Sequence, residues 1–189
     1  MERKMKRFVY LLTIIMMALS TTNDVQAQTA KKILVAYYSY SGNTAEMATQ
    51  IKNATGADIF VIEPVAAYPA EYQAVVDQAK REINANHKPA LKSNVANIDA
   101  YDVIFVGSPN WWSTIAPPVA TFLSDYDLSG KTIIPFITHE GSRMGRSASD
   151  IRKLCPKSTV QDGLPIRGGA VKNSNDEVLK WLRGIGMIK

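Results

Sequence analysis

Cysteine and histidine are scarce in this 189-residue chain, which contains one Cys and two His. Cys155 alone excludes an internal disulfide and a Cys-x-x-Cys redox pair, and its place before Pro156 predicts a small packed residue. His87 and His139 lie far apart in the sequence, so neither has a second nitrogen or thiolate nearby. A metal site, which needs several such ligands, is therefore not predicted.

Several functional motifs are also missing. The first glycine of a dinucleotide-binding fingerprint and the Gly-Lys pair of a P-loop do not follow the first predicted strand. No Gly-x-Ser-x-Gly sequence marks a hydrolase nucleophile. Lysine and arginine are scattered and form no basic stripe interleaved with aromatic residues, so the sequence does not predict nucleic-acid binding.

The first 27 residues have the layout of a secretory signal peptide. Four basic residues lie within positions 3–7, an apolar run covers positions 8–19, and Val25-Gln26-Ala27 supplies a small-residue cleavage pattern. The alternative is an uncleaved membrane anchor, but the run is short for a bilayer. We expect an exported protein, with the periplasm favoured and no stable membrane insertion after cleavage. Cleavage leaves 18 basic and 15 acidic residues, a net charge of +3.

The remaining residues, 28–189, are enough for one domain with its own core. They alternate between predicted strands and helices, which is typical of a parallel sheet covered by helices on both faces. Strands are predicted at 33–38, 58–62, 102–107 and 131–138, with weaker ones near Val160 and Ile166, and helices at 45–55, 69–86, 118–126, 147–154 and 175–185. Ligands of such sheets bind beyond the carboxyl ends of the strands.

The loop after the first strand has the composition of a phosphate site. An apolar run, Ile33–Tyr38, leads into a loop rich in hydroxyl and amide groups, with one glycine, directly before a helix. Such a loop presents hydroxyls and backbone N–H groups at the positive end of the helix. The candidate phosphate ligands are Ser39, Ser41, Gly42, Asn43 and Thr44. The alternative is an ordinary polar turn with Thr44 as the helix N-cap.

Two more unusual loops follow later strands. The loop 108–114 contains adjacent tryptophans, and a flat aromatic ligand would give at least one indole a stacking surface. The alternative, open for Trp112 in particular, is that one tryptophan packs under the loop and the other touches the following helix. The loop 138–145 is polar and contains glycine, so it can approach a ligand closely. We interpret His139 in this loop as a residue that supports the loop rather than a catalytic group.

With these loops in place, the chain resembles the bacterial flavodoxin-like family, in particular its short-chain flavodoxins. The matching sequences are Tyr-Tyr-Ser-Tyr-Ser-Gly-Asn-Thr at 37–44, Tyr-Asp-Val-Ile-Phe-Val-Gly-Ser-Pro-Asn-Trp-Trp at 101–112, Ser-Gly-Lys-Thr-Ile-Ile-Pro-Phe at 129–136 and Thr-His-Glu-Gly-Ser at 138–142. The resemblance covers nearly all of the chain after residue 27. It implies an α/β three-layer flavodoxin-like fold, with a five-stranded parallel sheet of order 2-1-3-4-5.

The resemblance also implies a non-covalently bound FMN. The loop 39–44 would hold its phosphate, Pro109, Asn110, Trp111 and Trp112 would line the isoalloxazine ring, and Thr138, Glu140 and Gly141 would lie on the other side. The expected function is electron transfer through the flavin, with a redox donor and acceptor that the sequence does not identify. The alternatives are an NAD(P)H-dependent quinone or small-molecule reductase, with Arg143 or Arg146 meeting a nicotinamide phosphate, and a cofactor-free binding module.

Two features depart from the family pattern. Arg143 stands where the family usually has glycine, which predicts a less open loop or an added charge near the cofactor. Electron-shuttle flavodoxins are typically acidic and cytoplasmic, whereas this chain is basic and carries an export sequence.

Overall fold

The computed structural model describes residues 31–189, so the predicted signal peptide lies outside the described residues. The strands are β1 (Ile33–Tyr37), β2 (Asp58–Val61), β3 (Val103–Trp111), β4 (Thr114–Ile115), β5 (Thr132–His139), β6 (Thr159–Val160) and β7 (Leu164–Arg167). The α-helices are α1 (Asn43–Thr55), α2 (Tyr72–Asn84), α3 (Pro117–Asp125), α4 (Ser147–Leu154) and α5 (Asn175–Gly184), and short 3₁₀ helices cover Ile98–Ala100 and Gly168–Asn173. Among residues 31–189, no helix has the length and apolar character needed to cross a membrane.

The central sheet confirms the predicted three-layer α/β fold. Its strands run in the order β2-β1-β3-β5-β6, and β7 also pairs with β5, all in parallel. The predicted order 2-1-3-4-5 is therefore present, with the fifth strand divided into two pieces. Side chains of α3 and α4 pack on one face of the sheet, and those of α1 and α5 pack on the other.

A proline explains why the edge strand is divided. The carbonyl groups of Lys131 and Ile133 point toward the edge strand, where they accept N–H groups of Thr159 and Gln161. Alternate residues of a strand face the same neighbour, so the backbone nitrogen of Pro135 also points toward the edge, and it carries no hydrogen. The ladder breaks there, between β6 and β7.

The largest differences from the predicted bounds are in two elements. The predicted helix 69–86 begins only at Tyr72, because the Glu71 carboxylate caps it by accepting the N–H groups of Gln73 at 2.8 Å and Ala74 at 2.5 Å. The strand predicted to end at Gly107 continues to Trp111 and forms an antiparallel hairpin with β4. The segment 108–114, predicted as a loop, is therefore mostly a β-hairpin.

Candidate functional site

A cavity of about 660 Å³ opens at the carboxyl edge of the sheet, where the three predicted loops meet. This volume lies within the usual range for small-molecule sites. Nine of the twelve predicted cofactor-binding residues line it: Ser41, Asn43, Pro109, Asn110, Trp111, Trp112, Thr138, Glu140 and Gly141. Ser39, Gly42 and Thr44 lie in the adjoining loop at the start of α1 rather than in the cavity wall.

The start of α1 presents backbone donors rather than a capping side chain. Gly42 occupies the N-cap position with φ of 89°, in the left-handed region that favours glycine, and contributes no side-chain cap. Ser39 Oγ accepts the N–H of Ala45 at 3.2 Å. Within residues 31–189, the N–H groups of residues 41–44 donate to no protein acceptor. Four N–H groups at the positive end of a helix are therefore available to an anion.

Thr44 holds the first loop to the third. Its side chain is 1% exposed, and its Oγ1 lies 2.8 Å from Thr138 Oγ1 in a buried hydroxyl–hydroxyl hydrogen bond. Thr44 is thus not the helix N-cap that the alternative interpretation required, because Gly42 holds that position. Any contact of Thr44 with an anion at the helix start would come from its backbone N–H.

The β3–β4 hairpin closes with a strained two-residue turn. Trp112 and Ser113 have φ of 51° and 65°, the positive values of a type I′ turn that Asn and Gly usually supply. A contact from outside the hairpin stabilises the turn: the backbone N–H of Arg146 donates to Ser113 O at 2.8 Å. Such strain persists only where surrounding contacts impose it, and it is concentrated at functional sites.

The two tryptophans have different surroundings. Trp111 packs edge-on against the rings of Tyr38, Tyr40 and Tyr68, with centroid distances of 5.5, 5.9 and 4.9 Å. Trp112 is 45% exposed and donates its indole N–H to Val76 O of α2 at 3.1 Å. Trp111 is therefore a fixed part of the cavity wall, whereas Trp112 spans from the hairpin to α2 along the rim.

Asn110 carries an acceptor without a partner. Its Nδ2 donates to Arg143 O at 2.8 Å, which fixes the orientation of the amide. Its Oδ1 is buried and has no hydrogen-bond partner among the described residues. A buried, unsatisfied carbonyl oxygen on a cavity-lining residue costs free energy unless a ligand donor meets it.

The third loop is folded around His139. Its Nδ1 accepts the N–H of Gly141 at 2.9 Å, which requires a neutral imidazole. Burial, and next the positive charge of Arg143, lower the pKa of His139 below its ordinary value. The structure thus shows the supporting contact predicted for this side chain.

The next residue, Glu140, is in an ion pair, with its Oε2 3.7 Å from Arg167 Nε. Residues 31–189 contain no cluster of His, Cys, Asp or Glu suited to a metal ion.

Arg143 and Arg146, the two candidates for contacting a nicotinamide phosphate, differ in whether another side chain holds them. Arg143 is exposed and has φ of 53°, in the left-handed region that favours glycine. Arg146 Nε lies 2.9 Å from Asp150 Oδ2 and is held in an ion pair. Of the two, Arg143 is the side chain that keeps its charge available near the cavity.

Sequence reasoning missed one whole wall of the cavity. The lining is completed by four residues of α2 (Tyr72, Val75, Val76 and Ala79) and by Tyr40, Ser113, His139, Ser142 and Gly168. Their helical spacing was visible, but periodicity alone does not say which face meets a ligand. A Cβ atom on Gly168 would lie 2.5 Å from both Asn43 Nδ2 and Glu140 Oε1, so only glycine fits between these side chains without movement.

Comparisons with known proteins agree with this architecture. A family model described as flavodoxin matches residues 32–185, whereas no curated protein matches the chain. A candidate flavoprotein from Bacteroides eggerthii DSM 20697 is 34% identical, with 78% of this chain and 98% of that chain covered and a TM-score of 0.67. A candidate flavoprotein from Bacteroides uniformis ATCC 8492 is 28% identical (82% and 99% covered, TM-score 0.73).

A third structure extends the likeness in fold. The flavoprotein of Lactobacillus acidophilus NCFM, solved in complex with FMN, is 24% identical, with 78% of this chain and 99% of that chain covered and a TM-score of 0.64. The family model spans nearly all of the described residues. The chain therefore belongs to the flavodoxin family.

Proposed function

We propose that this protein binds FMN non-covalently in the cavity and transfers electrons through it. The observation that carries the proposal is that two features lie side by side. The N–H groups of residues 41–44 have no protein acceptor among the described residues, and a cavity with aromatic walls lies next to them. The first suits a phosphate and the second a flat ring. The FMN complex of the Lactobacillus acidophilus relative supports the same assignment.

The residues present fit this cofactor. Ser39, Ser41, Gly42, Asn43 and Thr44 would hold the phosphate through hydroxyl and backbone N–H groups, without a lysine. Pro109, Asn110, Trp111 and Trp112 would line the ring, with Asn110 Oδ1 accepting one of its N–H groups. Thr138, Glu140 and Gly141 would lie on the opposite side of the cavity. When bound, the flavin supplies the redox chemistry, and the protein supplies binding, orientation and electrostatics.

The direct test is a titration of the protein, from Gln28 onward, with FMN while its absorption and fluorescence are recorded. Stoichiometric binding with quenched flavin fluorescence is expected, because the ring would contact indole and phenol side chains. Absorption and fluorescence that remain those of free FMN in the presence of the protein would favour the cofactor-free binding module and would overturn the electron-transfer proposal.

A reductase is the second candidate, and the α2 wall favours it. Tyr72 is 75% exposed and Trp112 is 45% exposed at the cavity rim, so a second flat substrate would find an apolar surface there. Arg143 adds a positive charge for a nicotinamide phosphate. The test is steady-state oxidation of NADH or NADPH by the FMN-loaded protein with a quinone as acceptor. Turnover would establish the reductase, and no turnover with either nucleotide would exclude it.

We also propose that the protein is exported to the periplasm, and that it meets its redox donor and acceptor there. The support is the sequence of residues 1–27, which lie outside the described residues. Cell fractionation with N-terminal sequencing tests this proposal. A protein beginning near Gln28 in the periplasmic fraction is expected, and an uncleaved holoprotein in the cytosol would contradict export.

A further inference from the structure

Four aromatic rings form a connected group that begins at the cavity wall. This aromatic cluster consists of Tyr38, Tyr40, Tyr68 and Trp111, and neighbouring ring centroids are 4.9 to 6.0 Å apart. Trp111 is its hub and also lines the cavity, so the cluster runs from the ligand-binding surface into the protein. The shortest separation, 4.9 Å, joins Trp111 to Tyr68.

Tyr68 differs from the other tyrosines of the cluster in its hydrogen-bond partner. Its hydroxyl donates a short hydrogen bond to Glu82 Oε2 of α2, and Glu82 Oε1 accepts Gln78 Nε2 at 2.8 Å. Tyr40 instead donates to the backbone carbonyl of Pro69 at 2.7 Å, which does not take up a proton. Tyr68 is therefore the phenol of the cluster with a carboxylate placed to accept its proton.

This arrangement matters because of how phenols lose electrons. Burial, then the hydrogen bond and charge of Glu82, raise the pKa of Tyr68 far above its ordinary value, so its hydroxyl stays protonated before oxidation. A phenol that gives up an electron becomes strongly acidic and must release its proton at once. A carboxylate already hydrogen-bonded to that hydroxyl makes the oxidation easier, because electron and proton leave together.

We propose that Trp111, Tyr68 and Glu82 form a one-electron relay that carries oxidising equivalents out of the cavity. The oxidant is a small inorganic or oxygen-centred radical that takes one electron from the Trp111 indole, which loses its N–H proton to solvent. Tyr68 then passes one electron to Trp111, and its phenolic proton moves to Glu82. The indole regains a proton from solvent, and the products are intact Trp111, a neutral tyrosyl radical at residue 68 and a protonated Glu82.

The relay belongs to the protein chain and does not require FMN, so it is tested on the purified chain before cofactor is added. Pulse radiolysis with azide radicals oxidises indoles selectively, and indolyl and tyrosyl radicals have separate absorption bands. In the wild type, a fast decay of the indolyl band is expected with a matching rise of the tyrosyl band. Its rate should not depend on protein concentration, because the transfer is intramolecular.

Three variants locate the step. Tyr68→Phe keeps the ring but removes the transferable hydrogen, and Trp111→Phe removes the hub, so each should abolish the fast rise of the tyrosyl band. Glu82→Gln keeps the size of the side chain and removes the proton acceptor, so the rise should become slower. Circular dichroism of each variant checks that the fold is retained.

A matched control exists elsewhere in the chain. Tyr101 also donates its hydroxyl to a carboxylate, Asp58 Oδ2 at 2.8 Å, but it is not in the aromatic cluster. Tyr101→Phe should leave the fast phase unchanged. A fast phase that survives in Tyr68→Phe, or that Tyr101→Phe removes equally, would overturn the relay. Because no FMN is present, either result is separate from the outcome of the FMN titration.

Discussion

The two segments that bracket the cavity are built in opposite ways. The loop 39–44 is built mainly from its backbone. Gly42 takes its left-handed conformation without steric cost, and free N–H groups rather than a capping side chain lie at the start of α1. The hairpin turn at Trp112 and Ser113 is a side-chain site, in which residues that disfavour positive φ are held by tertiary contacts. The first segment therefore depends on local conformation and the second on its neighbours, and substitutions should separate the two.

The largest effect is expected from removing the Trp111 side chain in the β3–β4 hairpin. Trp111→Ala deletes a half-buried indole that contacts three tyrosine rings, and the free energy of unfolding should fall by about 3 kcal/mol. FMN affinity should fall about tenfold or more if the indole stacks on the ring. Urea denaturation and FMN titration measure the two quantities.

The neighbouring tryptophan is the control for this change. Trp112→Ala removes a side chain that is 45% exposed, so its cost to folding should be clearly smaller. Equal losses of stability in the two variants would contradict the distinction between a wall residue and a rim residue. Unchanged FMN affinity in Trp111→Ala would remove Trp111 from the proposed binding site.

Two glycines at the ends of α1 test the role of the backbone in the loop 39–44. Gly42 and Gly56 lie at the two ends of α1, with φ of 89° and 69°, and a Cβ on either would meet no atom within 4 Å. Alanine at either position should therefore cost about 1–2 kcal/mol of stability through backbone strain alone. Only Gly42→Ala should also weaken FMN binding, because it alone alters the proposed phosphate loop. Parallel losses of FMN affinity in both variants would argue against a phosphate at residues 41–44.

The same contrast explains how much of the molecule could be predicted from its sequence. The phosphate loop was recognisable because strand, glycine and hydroxyl residues follow one another directly from Ile33 to Thr44. The hairpin was not, since its turn is Trp-Ser instead of the usual Asn-Gly and is maintained by Arg146 and Val76, which are distant in sequence. Local backbone conformation can be predicted from neighbouring residues, whereas contacts between segments distant in sequence cannot.

The α2 wall was missed for the same reason, and so was the cause of the division of the edge strand, although strands were predicted near Val160 and Ile166. Val76 is placed against the cavity by tertiary packing that no single segment specifies. Pro135 lies in a predicted central strand, and its missing N–H matters only once a neighbour is present on that side. The strand order followed from the family resemblance, and the two edge pieces were predicted near Val160 and Ile166, while the reason for the break between them depends on the pairing of Pro135 with its neighbours.

A smaller effect of opposite sign is expected from relieving the turn. Ser113→Gly replaces a residue at φ of 65° with one that adopts this conformation freely. The free energy of unfolding should rise by about 0.5–1 kcal/mol, because the relief of strain exceeds the added chain entropy. Asn86→Gly is the matched control, since Asn86 has φ of 54° but asparagine tolerates this region. A Ser113→Gly variant that is no more stable would show that the turn carries no strain.

The smallest effect is a pH dependence of the third loop. The folded protein holds His139 neutral, with a pKa below its ordinary 6.5, so that Nδ1 accepts the Gly141 N–H. This stabilisation is fully present above pH about 6.5 and is lost as the pH falls below that value, because the unfolded chain takes up the proton more readily. Solvent screening should limit the loss to about a few tenths of a kcal/mol.

His139→Asn provides the comparison for this pH effect, since the amide oxygen accepts a hydrogen bond and does not titrate. Urea denaturation without FMN is the appropriate measurement, because the phosphate of FMN itself titrates near pH about 6. As the pH falls, the unfolding free energy of the wild type should decrease relative to that of the variant. A difference that stays constant with pH would show that the His139–Gly141 contact does not depend on a neutral imidazole.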